Sequence, residues 1–528
     1  MTESKISDDA QETMLKTEKK PQIAKKKRKE EKEHDYEALQ SFLRSISSTA
    51  TLPPYVKGEK YSSFRGVFNQ CLATCAVLIL AAGAGHPIGF SAVALPQLRL
   101  ENSSMRIDEE MGSWIASIHS AATPLGSTVS GPLMEAVGRR RSLQIATLPL
   151  LLGWILIGTS SHHALMLLGR IVCGFAVGIV AAPSQVYLGE ISEPRMRGLL
   201  IGAPFVSYSL GVLYVYALGG ALPWRFVAYL SMLMPALGFC ALCFSPESPT
   251  WLARHGRFSE AMAAMARLRG NADIAQRELH ELISAREKEK ARGEEKIKFF
   301  ATVGRLPVLK PLLLINAFNV LQILSGSYVV IFYAVDIIKD TGGAFDPQDA
   351  ANASACVRLG VTVVACILLL RVPRRALALA SGAGTALCTL ALTALLLRGG
   401  ASDTSLAPPV LILSYVAFNT LGFFLLPGLM IGELLPTKVR GLCGGYIFTL
   451  FNIVLFAFTK LYPFLKNSIG MVGIFATFCA TATLATVMLY LLYPETKGKS
   501  LLQIEEYYQK SNILWITRKK MMADSRRV

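Results

Sequence analysis

The sequence predicts an all-α membrane protein: twelve transmembrane helices in two six-helix halves, joined by a helical insert. Three observations carry that prediction. The 528-residue chain is 52% hydrophobic and only 17% charged, with a mean hydropathy of +0.41, whereas a soluble domain is about 25% charged. Its apolar stretches approach the ~20 residues that cross a bilayer, and they number six before the insert and six after it. A signature also recurs once in each half. The stretch Gly169–Gly198 ends in Glu190 followed by Arg197-Gly198, and Gly432-Glu433-Leu434-Leu435-Pro436 is followed by Arg440-Gly441. Such a repeat marks an internally duplicated membrane protein.

Residues 1–62 are polar and hold the run Lys25-Lys26-Lys27-Arg28-Lys29 beside Glu30, Glu31 and Glu33. They read as a disordered cytosolic tail with no cleavable signal. The first half spans 63–245, with apolar segments near 68–96, 111–134, 142–160, 164–188, 198–221 and 224–245. Glycines 169, 174 and 178 place small residues at about one-turn spacing, which lets neighbouring helices approach closely. The insert, 246–308, repeats Phe258, Ala261, Met262, Met265 and Leu268 at helical spacing, as amphipathic helices bracing the halves would. The second half, 309–493, has segments near 311–338, 350–370, 376–397, 408–434, 442–465 and 470–493, and a cytosolic tail closes the chain from 494 to 528.

A net charge of +17 raises the question of nucleic acid. The basic residues instead sit in short segments between apolar runs, where the positive-inside rule puts them. Arg139-Arg140-Arg141, the insert, and Arg371 with Arg374 and Arg375 all fall on one side if the N-terminus is cytosolic. The sequons at Asn102 and Asn352 then face outward as glycosylation acceptors. All ten cysteines lie in or at the ends of the spans, so no disulfide framework is expected. Nothing resembles a phosphate loop, a metal cluster or a nucleophile with its base. No catalytic residue, metal or cofactor is expected, and the partners are a small solute and the lipid bilayer.

Several motifs resemble the sugar porter branch of the major facilitator superfamily, over about 65–505. They are Gly131-Pro132-Leu133-Met134-Glu135 with Gly138-Arg139-Arg140, then Gly169-Arg170, then Tyr187, Glu190, Arg197 and Gly198. Pro246-Glu247-Ser248-Pro249 follows span six, and Pro494-Glu495-Thr496-Lys497-Gly498 follows span twelve. Gly112-Ser113-Trp114 and the compact first loop are most similar to the insect-type facilitated trehalose transporters. The resemblance implies alternating access at the plasma membrane around a midplane site. Glu135, Glu190 and Glu433, with Arg139, Arg140, Arg197, Arg374, Arg375 and Arg440, would then form a cytosolic gate that holds the halves together when the cavity opens outward.

The substrate-site pattern is only partly kept. Gln322, Ser325, Gly326 and Tyr333 match the family's span seven, while Ile323 and Tyr328 replace an expected Gln and Asn. Phe205 stands where hexose transporters have Gln, and Asn452 stands for an expected Trp. Leu425 and Gly428 also depart from the pattern, with Pro427 kept. Arg358 occupies a position where sugar porters place Asn or Gln. Counted from residue 350 it is roughly 12 Å deep at ~1.5 Å per residue. A charge in that core costs roughly 2.5–3.5 kcal/mol, so Arg358 is either a structural group with a partner or a ligand contact. Pro87 replaces the carboxylate of proton-coupled relatives, which favours uniport, and His86 and His119 read as packing histidines. The resulting expectation is a facilitative transporter of a trehalose-like disaccharide or a hexose. Two alternatives stay open: a carrier of a non-sugar, anionic solute, and a non-transporting sensor that keeps the fold.

Overall fold

A bilayer leaves helices and closed barrels as the only spanning structures, because every backbone polar group needs an internal partner. The computed structural model of the chain takes the first course: among the described residues every element is a helix. The structure describes residues 63–101, 103, 105–193, 196–291, 306–342, 346–398, 405–436, 439–497, 504 and 506–508, apart from the side chains of 197–199, 285–291, 307, 370 and 440–442.

Spans one to five are single helices: α1 (Phe64–Leu98), α2 (Glu109–Val137), α3 (Arg139–Gly158), α4 (His163–Ile191) and α5 (Arg197–Ala221). Span six comes in two pieces, α6 (Trp224–Leu230) and α7 (Leu233–Cys243). The insert holds α8 (Pro249–Arg254), α9 (Phe258–Arg269) and α10 (Ala272–Ala291). Span seven is broken into α11 (Leu306–Leu324), α12 (Val329–Phe332) and α13 (Ala334–Thr341). Spans eight and nine are α14 (Pro347–Arg371) and α15 (Arg374–Leu397), and span ten is split into α16 (Ala407–Leu421) and α17 (Leu426–Leu434). Spans eleven and twelve run on as α18 (Arg440–Leu492), bent only at Gly470, where φ is 65°.

Ten of these helical stretches are apolar and long enough to cross a membrane. The count reaches twelve once α18 is read as two spans and α2 is added. Helix α2 falls short of the hydropathy of the others because Ser113, Ser117, His119, Ser120 and Thr123 occupy its buried side. A span whose polar groups face the protein need not be apolar all round.

Within the first half, α2 and α3 pack on α4; within the second, α15 packs on α16 and α18. Across the halves the seams are α2 against α18 and α5 against α14. The glycines of span four act as expected. A Cβ on Gly174 would stand 2.2 Å from the His119 carbonyl oxygen, and one on Gly178 would stand 2.1 Å from that of Thr123. Leu148, Leu152, Phe226, Leu387 and Leu390 are exposed on the outside of the bundle, as lipid-facing residues are.

The insert, with the first residues of α1, is a compact unit of its own. Trp251, Leu252, Phe258, Ala261, Leu279 and Ile283 make its core. Arg269 is buried against Glu278 at 2.9 Å, and Gln70 donates to the Leu268 carbonyl at 2.9 Å. The helical periodicity in the sequence therefore marks a small hydrophobic core.

Gly178→Val should lower the melting temperature of the purified protein in detergent, because the added carbons meet backbone that cannot yield. The cost of such overpacking is on the order of 1–3 kcal/mol. Gly189→Ala, whose Cβ would meet nothing closer than 3.7 Å, should leave melting near wild type; equal losses in the two variants would contradict the close approach.

Candidate functional site

The site begins with two interrupted helices. Span seven opens between Leu324 and Val329, where Gly326 adopts φ 86°. A Cβ there would be strained and would also lie 2.4 Å from the Phe478 ring. The Ser325 hydroxyl, at 2.7 Å, and the Ser327 hydroxyl, at 2.9 Å, both donate to the Gln322 carbonyl, replacing lost helical partners. Span ten opens between Leu421 and Leu426. There the Ser381 hydroxyl of α15 donates to the Phe418 carbonyl at 2.6 Å and accepts from the amides of Gly422, at 3.1 Å, and Phe423, at 3.0 Å. One serine thus caps the first end of the break. Discontinuous spans with satisfied ends are the usual framework of a midplane site.

Arg358 lies well inside its helix. The side chain of Asp346 caps α14 by accepting from the Gln348 amide at 2.9 Å, and Pro347 takes the first turn. The helix therefore starts three residues before 350, and Arg358 is roughly 16 Å in at ~1.5 Å per residue. It is 5% exposed. Its guanidinium makes no hydrogen bond or ion pair with any described residue, and its Nη1 is buried without a partner. The group lies 5.8 Å from the centre of the Phe424 ring, and Tyr208, Tyr216, Tyr328 and Tyr415 surround it.

Four of the expected substrate residues converge here. Tyr328 and Phe205 both pack on Phe424, with ring centres 5.9 Å and 6.3 Å away. Gln322 is fully buried with neither amide atom in a hydrogen bond of normal geometry, although the Tyr328 hydroxyl approaches it. Phe205 also fills the space left by Gly428, whose Cβ would come within 2.9 Å of the ring. Ser325 contributes through its carbonyl, which accepts from Tyr415 at 2.8 Å. Two other expected residues face elsewhere. The Tyr333 hydroxyl donates to the Thr459 carbonyl at 3.2 Å, and Asn452 donates to Phe448 of its own helix at 2.8 Å.

The motif arginines build the same arrangement twice. In the first half Arg139 donates to Glu190 at 3.0 Å, to Glu135 at 3.1 Å and to the Met134 carbonyl at 3.0 Å. In the second, Arg374 donates to Glu433 at 3.4 Å and to the Leu369 carbonyl at 2.9 Å. Arg140 reaches the Ser245 carbonyl at 2.9 Å, and Arg375 reaches that of Tyr493 at 2.8 Å. Glu433 also accepts from Thr496, and Glu495 accepts from the amides of Arg374 and Arg375. The charges expected to bridge the halves thus make these pairs within each half. Each arginine opens the helix that follows a short loop, so its nearest carboxylates belong to helices of its own half. The side chains of Arg197 and Arg440, and residue Asn102, lie outside the described residues.

The sequon at Asn352 falls on a helix. It sits inside α14, half-buried, with its Oδ1 buried and unpartnered. Gly220 of α5 packs beside its amide, and Ser354 of the same sequon is buried with its hydroxyl on the Ala351 carbonyl at 2.7 Å. Helical backbone packed on a neighbouring span does not present the surface that a glycan needs.

Other residues of consequence carry weaker signals in the sequence. Arg170 is fully buried and donates to the carbonyls of Pro87, Ile115 (2.9 Å) and Ala116 (3.4 Å) and to the Ser91 hydroxyl (2.6 Å). Tyr208 and Tyr216 lie two turns apart on α5, a spacing that places them on one face. At the face opposite the motif arginines, Arg99, just past the end of α1, pairs with Asp336 of α13 at 2.7 Å. Lys460 donates to Ser113 at 2.7 Å and lies over Trp114 at 4.2 Å, while Asn467 donates to Glu109 at 2.7 Å. Each of these contacts crosses between the halves, linking spans one to seven and two to eleven.

Two duplicated six-helix halves, broken spans and a buried polar cluster between them define a membrane carrier of the major facilitator type. The family model for sugar (and other) transporters matches residues 72–508, and the chain belongs to that family. Relatives include the facilitated trehalose transporter Tret1 of Culex quinquefasciatus, 30% identical over 489 residues, covering 89% of this chain and 94% of that protein. Tret1 of Apis mellifera ligustica is 31% identical over 451 residues, covering 83% and 88%. Among solved structures, the proton:xylose symporter XylE bound to 6-bromo-6-deoxy-D-glucose aligns with a TM-score of 0.68 at 17% identity, covering 84% of this chain and 99% of that one. The inward-open xylose transporter XylE from E. coli aligns with a TM-score of 0.67 at 18% identity. At those identities the likeness to XylE is one of fold.

Arg99→Asp and Asp336→Arg should each loosen the seam opposite the motif arginines, and the double swap should close it again. The readout is maleimide labelling of Gln348→Cys in a cysteine-free background, expected to rise several-fold in each single variant and to return in the double. Labelling that ignores both swaps would remove the pair from gating.

Proposed function

We propose that this protein is a uniporter for a small, hydroxyl-rich solute of the sugar class, a trehalose-like disaccharide or a hexose, working by alternating access at the plasma membrane. The observation that carries the reading is the fully buried Gln322 amide, which leaves acceptor and donors unused beside the aromatic faces of Tyr328 and Phe424. Unpaired buried polar atoms are costly, and hydroxyls of a solute would satisfy them, while the rings would pack on its carbon face. The relatives named as facilitated trehalose transporters support the solute class.

Alternating access follows from where the contacts lie. The motif pairs hold each half together, and the cross-half contacts at the other face, Arg99–Asp336 and Lys460 on α2, are broken when that face opens. The basic loops support cytosolic termini, which makes the Arg99–Asp336 face the outer one. Uniport follows from Pro87, whose carbonyl accepts from Arg170 and which supplies no carboxylate to carry a proton.

Purified protein in proteoliposomes should equilibrate radiolabelled trehalose or glucose across the membrane without accumulating either. A pH gradient should not drive uptake, and uptake should not acidify the lumen. Accumulation driven by pH alone would overturn uniport, and the absence of any flux or counterflow would favour the sensor. A tag on the N-terminus should stay inaccessible to external protease in intact cells.

A further inference from the structure

We propose that Arg358 anchors the carboxylate of the transported solute, so that the preferred substrate is a hydroxylated, sugar-sized monoanion such as a sugar acid. The inference rests on the reading of the central cluster as the solute site and names the chemical class that this site takes. It begins from a contrast among the buried arginines. Arg139, Arg170, Arg269 and Arg358 are the four buried among the described residues. Arg139 faces Glu190 and Glu135, Arg269 faces Glu278, and Arg170 is saturated by three carbonyls and a hydroxyl. Arg358 alone of the four uses none of its donors on a described residue.

Its surroundings narrow the ligand. No carboxylate is among the groups that act on it, which are the hydroxyls of Tyr208, Tyr216, Tyr328 and Tyr415. Two of those hydroxyls are committed elsewhere: Tyr216 donates to the Ile331 carbonyl at 2.5 Å and Tyr415 to that of Ser325 at 2.8 Å. Their rings are thereby fixed as walls. The Tyr208 hydroxyl makes no hydrogen bond with a described residue and remains available to a ligand. A guanidinium fork matches a carboxylate through two parallel hydrogen bonds. A single cation neutralises a single negative charge, so a monocarboxylate leaves the cluster uncharged whereas a phosphate dianion leaves an excess. The unused Gln322 amide, which also neighbours Tyr328, then takes the hydroxyls of the same molecule.

The test uses the full chain in nanodiscs, with thermal melting and equilibrium competition against radiolabelled glucose. The probes are D-gluconate, D-glucuronate, glucose, trehalose and sodium chloride. Gluconate or glucuronate should compete at least tenfold more strongly than neutral sugar, and chloride at equal concentration should shift melting far less. In Arg358→Gln the ratio of acid to neutral-sugar affinity should fall at least tenfold. Arg358→Lys, which keeps the charge without the fork, should fall between and serves where the Gln variant does not fold. Neutral sugar that binds while both acids fail to compete would overturn this inference and leave the sugar uniporter standing. A chloride shift equal to that of the acids, or an acid preference that survives Arg358→Gln, would overturn it too. Binding of neither sugar nor acid would remove both readings together.

Discussion

An arginine inside a bilayer has to find acceptors or a counter-charge, and this requirement organises the helices of the protein. Desolvating a guanidinium without partners is far costlier than leaving a neutral group unpaired. Arg170 meets the requirement with acceptors on two other helices: Pro87 and Ser91 on α1, Ile115 and Ala116 on α2. Spans one, two and four are therefore fixed around one side chain, and Gly174 and Gly178 bring α2 close enough for its carbonyls to be reached. Arg139 and Arg374 meet it at the helix ends, each with a glutamate from the following helix pair and a carbonyl five residues back. The duplication read from the sequence is thus a duplication of hydrogen-bonding geometry.

The spans that break do so where their own backbone has substitutes. Ser325 and Ser327 cap the end of α11, and Ser381 reaches from the neighbouring span to cap the end of α16. The polar groups these breaks expose are satisfied locally. Among the side chains that keep unsatisfied buried atoms are Gln322 and Arg358, and both neighbour Tyr328. That division separates the part of the site that keeps its shape from the part free to meet a solute.

Much of this was legible in the sequence, and the misses have physical causes. The twelve spans, the insert and the repeated Glu and Arg-Gly signature follow from hydropathy and local charge, which act over single helices. Helix α14 starts earlier than the apolar run suggests, because Asp346 caps it and Pro347 takes its first turn. Asn352 reads as a surface sequon by its three residues alone, yet a neighbouring helix covers it. The partners of Glu190 and Glu433, the ring of tyrosines and the Arg99–Asp336 pair depend on contacts between segments up to 237 residues apart. Spacing along one helix can place a tyrosine on a face but cannot say which face another helix will present to it. Arg170 was visible only as half of the Gly169-Arg170 motif, since most of its acceptors are backbone carbonyls, which every residue possesses.

The joints between adjacent spans carry a mechanical consequence. Helix α2 passes into α3 through Gly138 alone, at φ 102°, and spans eleven and twelve meet at Gly470 alone, at φ 65°. Spans two and eleven face each other along one of the two seams between the halves. Neither can slide lengthwise without dragging its neighbour, because a one-residue corner has no slack to absorb the travel. A rolling motion, in contrast, needs only small torsional adjustments at those corners. The two glycines therefore tie each span to its neighbour at a tight corner, one at the face of the motif arginines and the other at the opposite face.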